Sequence, residues 1–359
     1  MSVPASRSGV VVTAAHRVFF RALPKVELHC HLLGAVRHET FVALAARGNA
    51  PIDRAEIDAF YARGEKPVGV LRVLRALDAH LLTRADDLYR IAYEYLQDCA
   101  AHPVRHAEFF WNPTGTVRIS RIAYNDAQDA IVRAIRDAAR DFNVSARLIP
   151  SIDREAEPDE AVAMVEWMAA HRADEVAGIG IDYRETDRPP ELFWKAYRDA
   201  RAAGFKTTAH AGEFGCPWRN VETAVELLKV DRLDHAYTIV DNPAYAAEIA
   251  RRGIVVTVVP TNSYYLRTLP PERWAELHPM RHMPGLGLKI HPNTDDPTLH
   301  KVTPSEAWEL MFDHFGFGVG DLRQFMLNGI DGAWVDETTR ARWRAEWATE
   351  FDSAAAKLA

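Results

Sequence analysis

Along the chain, short runs rich in valine and isoleucine alternate with longer stretches in which apolar residues recur every three to four positions. The first pattern reads as buried strand and the second as amphipathic helix. Their regular alternation predicts βα units around a parallel sheet. Eight strands are expected, at residues 26–31, 104–111, 146–152, 176–182, 206–210, 232–235, 254–259 and 286–291. Helices are expected between them, among them 159–171, 191–203 and 221–228, with Gly204 and Gly253 placed to end the helices before strands five and seven. The interval 38–102 carries too much helical pattern for one loop. Extra helices are therefore expected after the first strand, near the barrel mouth. The stretch 306–358 is expected to be helical apart from a turn at 316–320. The fold this predicts is one (β/α)8 TIM barrel domain over residues 1–359, with a helical insertion after the first strand and extra C-terminal helices.

A length of 359 residues suits such a barrel, which uses about 250 residues and, with insertions, more than about 400. The net charge of −7 comes without any lysine/arginine run, which argues against a nucleic-acid or anionic-membrane surface and for a small-molecule ligand. Cys30, Cys99 and Cys216 are odd in number and widely separated, so they read as reduced thiols of a cytoplasmic protein rather than a disulfide framework. The apolar stretch 10–15 is short and runs into His16, Arg17 and Arg21, so no signal peptide is expected. No run reaches the ~20 apolar residues of a membrane-spanning helix.

In a barrel of this kind the C-terminal ends of the strands converge on one mouth. Polar residues recur at four of those ends: His29-Cys30-His31, His210-Ala211-Gly212-Glu213, Asp234-His235, and Asn293-Thr294-Asp295-Asp296-Pro297. His29 and His31 are two apart on a strand and so share a face. Alone, such a pair reads equally as two hydrogen-bonded polar side chains. With His210 as a third imidazole and Asp295 as an oxygen donor, the set suits zinc with one position left for water.

Read together, residues 26–34, the blocks 210–213 and 233–235, and residues 293–297 resemble the signature blocks of the adenosine deaminase family within the amidohydrolase superfamily. Two fainter similarities lie at 107–113 and 259–263. The resemblance implies one Zn2+ per subunit held by His29, His31, His210 and Asp295, with a water activated by the metal. It implies that His235 orients that water and steadies the developing oxyanion. Glu213 is implied to protonate the purine ring nitrogen next to the attacked carbon, a task suited to a buried, partly protonated carboxyl. Asp295 is also implied to take a proton from water, and Asp296 to hydrogen-bond the imidazole-ring side of the purine. His31 counts with Asp296 on the substrate side. The Asp-Asp-Pro run equally suits a helix cap.

The first block departs from the family, with Leu33 where an acid is usual and Ala35 where a serine is usual, so substrate recognition is expected to differ. After strand four, Arg184 and Glu185 read either as contacts to a polar substituent or as an exposed ion pair. Strand four ends without a lysine, which favours one metal over two. Phe109, Phe110, Trp111, Tyr264 and Tyr265 are candidates either to stack on a purine or to pack the core. The expected function is zinc-dependent hydrolytic deamination of a 6-aminopurine, adenosine-like or adenine-like, by a protein for which a homo-oligomer is an open expectation. The alternatives are a zinc hydrolase acting on another amino-heterocycle, amide or ester, and a purine-binding protein without catalysis.

Overall fold

A computed structural model describes residues 11–62, 70–265 and 268–358. Its eight strands are all parallel and run in sequence order through one sheet: β1 (Lys25–Glu27), β2 (Val104–Trp111), β3 (Ser145–Asp153), β4 (Gly178–Asp182), β5 (Lys206–Ala211), β6 (Arg232–His235), β7 (Val255–Val258) and β8 (Lys289–Pro292). Helices lie between successive strands, giving the expected (β/α)8 barrel. The register of β2 on β3, Phe109 against Leu148 and Trp111 against Pro150, carries the buried alternation of both strands into the core.

The seam between β1 and β8 closes by an irregular route. Leu28 N–H donates to the Asn293 side chain at 2.8 Å instead of to a strand carbonyl, so the ladder stops at Glu27. Beyond it Cys30 bridges to Asp295, through Asp295 N–H to His29 O at 3.0 Å and His31 N–H to Asp295 O at 2.8 Å, while on the β2 side His31 bridges to Phe110 through Phe110 N–H to Cys30 O at 2.8 Å. The strand expected at 26–31 is thus regular only in its first half. The strand expected from residue 286 starts at Lys289, because Pro284–Leu286 forms a 3-10 turn and Gly287 follows at φ +81°.

The insertion is helical as expected: His38–Gly48, Arg54–Phe60, Val70–Ala76, a π-helical turn Leu77–Leu81, and Ala85–Ala100. The helix expected at 191–203 splits into a 3-10 turn, Pro190–Phe193, and a helix, Trp194–Ala202. Gly204 at φ +84° and Gly253 at φ +72° end their helices as expected. The C-terminal helices are Pro304–Asp313, Val319–Gly332 and Glu337–Ala355, and the second of these packs on β8, β1 and β7. Residue 10 of the apolar N-terminal stretch lies outside the described residues, and Ala14–Ala22 is a helix. Among the described residues no helix is long and apolar enough to cross a membrane.

Candidate active site

The strand ends bring His29, His31, His210 and Asp295 together, with one ligating atom from each within 4.8 Å of the others. All four are buried. His31 Nε2 lies 3.2 Å from His210 Nε2 and 3.1 Å from Asp295 Oδ1, and His29 Nε2 lies 3.5 Å from the same oxygen. Each ring turns its other nitrogen outward: His31 Nδ1 to Asp182 at 3.2 Å, His210 Nδ1 to Asp234 at 3.3 Å, and His29 Nδ1 to Thr257 Oγ1 at 2.9 Å. Outer partners of this kind fix the tautomer and aim the inner nitrogens at a cation. His29 Nε2, fully buried, has no hydrogen-bond partner among the described residues. Three inward imidazole nitrogens and one carboxylate therefore fit a divalent metal.

The outer partners are themselves anchored. Asp234 accepts from Thr208 at 2.8 Å and Thr257 at 2.7 Å, and Asp182 accepts from Asn112 at 2.7 Å. Burial raises the Asp234 carboxyl, but its hydrogen bond with His210 and the charge of His29 outweigh this and hold it well below the usual carboxylate range. Burial pushes His210 down to about 4, so the ring is neutral, as a ligand must be. Arg154, also fully buried, donates to the His210 carbonyl at 2.6 Å and tethers the end of β5. Three residues with side chains at the mouth occupy the left-handed backbone region, Tyr183 at φ +64°, His235 at φ +62° and Asp295 at φ +65°. Such strain costs about 1–3 kcal/mol per residue and concentrates at functional sites.

Glu213 follows β5 across a turn that needs Gly212 at φ +70°, where a Cβ would meet Thr238 Oγ1 at 2.5 Å. Asn262 bridges Glu213 and Asp295, its Nδ2 donating to Glu213 Oε1 at 3.0 Å and Asp295 Oδ2 at 2.9 Å. His235 Nε2 faces Glu213 Oε1 at 3.7 Å, while its Nδ1 lies 3.1 Å from the Tyr237 hydroxyl, which accepts from Val259 N–H at 3.0 Å. Burial first, and the Asp295 charge second, push the Glu213 carboxyl well above its ordinary value. The same two causes raise Asp296, and burial holds His235 neutral. Asp296 N-caps the turn Pro297–His300 in position only, because its side chain makes no capping bond. The carboxylate instead lines the cavity, in a space that only a glycine at 34 leaves open: a Cβ there would stand 1.8 Å from Asp296 Oδ1.

His31, His210, Glu213, Asn262, Asp295 and Asp296 line one cleft, completed by Leu71, Leu74, Asp182, Tyr183, Phe214 and His300. The structure gathers His29, His31, His210, Glu213, His235, Asp295 and Asp296, and sets two expected residues apart. Glu185 is buried but spends its oxygens on Gly212 N–H at 2.9 Å, Glu213 N–H at 3.1 Å and Asn220 at 2.8 Å. It holds the turn that carries Glu213 instead of reaching the cavity. Arg184 is exposed, 3.9 Å from Glu155, and does not pair with Glu185. Among the candidate stacking residues, Phe109 packs on Tyr95, Trp111 on Tyr124 and Tyr264 on Trp274. Phe110 sits beneath the imidazoles, 5.2 Å from His29, His31 and His210. The Tyr265 side chain lies outside the described residues. Leu71, Leu74, Phe214 and His300 escaped the sequence reading. Only His300 carried a signal, four positions after Asp296 and so on its face of a helical turn.

A sequence model of the adenosine deaminase family matches residues 24–349. The chain is 31% identical over 344 residues to the adenine deaminase of Rhodospirillum rubrum, covering 93% of this chain and 99% of that protein. It is 29% identical to the adenine deaminase of Cupriavidus metallidurans, with 94% of each covered. Among solved structures, an amidohydrolase from Burkholderia ambifaria with bound Zn superposes with a TM-score of 0.97 at 80% identity, over 99% of this chain and 98% of that one. The adenine deaminase of Arthrobacter aurescens superposes at 0.84 with 26% identity, over 92% of this chain and 100% of that one.

Proposed function

The chain belongs to the adenosine deaminase family, and from that membership and the site geometry we propose that it hydrolyses a 6-aminopurine, taking an adenine-like free base and water to the 6-oxopurine and ammonia. The observation that carries the reading is the placement of a raised, buried Glu213 beside a four-donor metal set in one cleft. Such a carboxyl holds its proton more tightly than a solvent-exposed one and donates it to the ring nitrogen beside the amino-bearing carbon, so that the ring accepts the electron pair as water adds. Neutral His235 presents Nε2 on the Glu213 side of the cleft, where it orients the water. Asn262 holds Glu213 and Asp295 in one arrangement. Asp295 receives the proton of the water, and Asp296 meets the imidazole ring of the base.

His29, His31, His210 and Asp295 would hold one zinc ion per chain, and the donor set and the zinc-bound relative both support that metal. When bound, the metal supplies the Lewis acidity that makes water nucleophilic near neutral pH. A free base rather than a nucleoside is supported by the names of the curated relatives and by Leu33, which is buried where the family resemblance places a ligand-ordering acid. The single sheet and the span of the family match support one domain, and the three free cysteines support a reducing, cytoplasmic setting.

The test is ammonia release by zinc-loaded protein across adenine, adenosine and their 6-substituted forms. Turnover of adenine well above adenosine is expected; turnover of neither would remove the assignment.

A further inference from the structure

Asn262 opens the helical turn Asn262–Tyr265 that follows β7, and it is buried. The turn is pinned beside it: Ser263 Oγ lies 3.0 Å from Nε2 of the buried His278, whose Nδ1 accepts from Met280 N–H at 3.1 Å. The two bonds from Asn262 Nδ2, to Glu213 Oε1 and Asp295 Oδ2, fix which way the amide faces. Asp295, as a metal ligand, is ionised and can only accept, so the amide nitrogen faces it and the amide oxygen is turned elsewhere. That oxygen, Oδ1, is fully buried and has no hydrogen-bond partner among the described residues. Burying an acceptor unpaired is costly unless a donor reaches it. Asn262 lines the cleft, so a molecule bound there can supply that donor.

We propose that Asn262 touches the substrate as well as holding the two carboxyls: its Oδ1 accepts a hydrogen bond from the 6-amino group, whose nitrogen leaves as ammonia. The proposal rests on the 6-aminopurine reading. A base with N1 at Glu213 and C6 beside Asp295 brings its amino group, bonded to C6, to the side chain that bridges those two residues. At this end of the ring N1 and N7 accept and only the amino group donates, which is the function a carbonyl oxygen needs. As water adds to C6, the C6–N1 π pair moves to N1, which takes the Glu213 proton, and one water proton passes to Asp295. The bond from C6 to the amino nitrogen then breaks with its electron pair on nitrogen, which takes the proton from Asp295 and departs as ammonia. C6=O forms as the hydroxyl proton returns to Glu213. Throughout, one amino N–H stays on Oδ1, leaving the lone pair of the nitrogen free to take the proton.

The experiment pairs the side chain with the amino group in ligands that do not react. 1-Deazaadenine lacks the ring nitrogen that Glu213 protonates, and 1-deazapurine lacks the amino group as well. Their dissociation constants are measured for zinc-loaded wild type and Asn262→Leu, with Asn262→Ser used if the leucine variant does not fold, beside kcat/KM for adenine. Wild type is expected to bind the amino compound about ten-fold more tightly, and the variant to lose at least about five-fold of that preference. Loss of the bridge between the carboxyls alone weakens both compounds by the same factor, so a preference unchanged in the variant overturns the proposal. A wild type without any preference overturns it too. Absence of ammonia release from adenine by wild type would instead sink the deaminase reading, while the two deaza compounds still judge Asn262.

Discussion

The two ends of the barrel are built from the same strands and solve opposite problems. At the foot, β6 begins with Arg232, which donates to Glu108 at 2.6 Å, to the Gly332 carbonyl at 3.1 Å and to the Leu28 carbonyl at 3.2 Å, and stacks over Trp334 at 4.5 Å. Glu108 also meets His106 at 3.2 Å and accepts from Trp334 N–H. Burial raises the Glu108 carboxyl, but the Arg232 charge outweighs it and holds the group below its ordinary value. At the mouth, the same β6 ends in His235, and there three carboxyls and five imidazoles crowd together around one cleft, with no arginine–carboxylate pair like that at the foot among them. Charges that complete one another serve the fold. Groups of one kind gathered on strained backbone serve a site instead.

Replacing Asp295 or His210 by alanine cuts most deeply at the mouth. Metal loss and a fall in kcat/KM on the order of 10³-fold or more are expected, because the metal supplies several kcal/mol of transition-state stabilisation. Metal analysis beside ammonia release checks this. Glu213→Gln should lower kcat by about 10²- to 10⁴-fold with metal retained. It should also expose the contrast between the ends in metal-free protein. A carboxyl whose folded value is raised binds its proton more tightly in the folded state, so its contribution to stability declines as pH rises above the ordinary 4.5. The variant's stability advantage over wild type, read by urea unfolding, should therefore grow with pH. Glu108, held low, has the opposite sign: its contribution is present above 4.5 and lost as pH falls through its depressed folded value.

At the foot, Arg232→Met strands Glu108 and should cost about 3–5 kcal/mol of stability, with kcat/KM per folded molecule close to wild type. A large loss of catalysis in the folded fraction would break the division between the ends. Asp234→Asn tests the layer between them and should weaken metal affinity by about ten- to a hundred-fold, read by competition with a chelator. Arg184→Ala should change stability by less than about 0.5 kcal/mol and leave kinetics unaltered.

The mouth was more legible in the sequence than its surroundings. Imidazoles and carboxylates at strand ends stand out by type and position, so His29, His31, His210 and Asp295 were singled out without coordinates, and the structure brings them together. Glu185 was misplaced because sequence shows that an acid follows β4 but not that two backbone N–H groups of the neighbouring turn will consume it. Of the two readings left open for the aromatics, packing holds for Phe109 and Trp111, which meet Tyr95 and Tyr124, while Phe214, on a loop without periodicity, reaches the cleft unannounced. Strand limits erred where a side chain replaced a ladder bond, as Asn293 does at Leu28, or where a left-handed glycine delayed the strand, as Gly287 does. Leu71 and Leu74 lie on an inserted helix whose apolar stripe looks like any other. Only the tertiary fold turns it over the site.

The most direct measurement is a zinc titration of metal-stripped protein, with bound metal and ammonia released from adenine read in the same samples. The rate is expected to be negligible without metal, to rise in proportion to occupancy and to level at one zinc per chain. A full rate in protein free of metal would contradict the account.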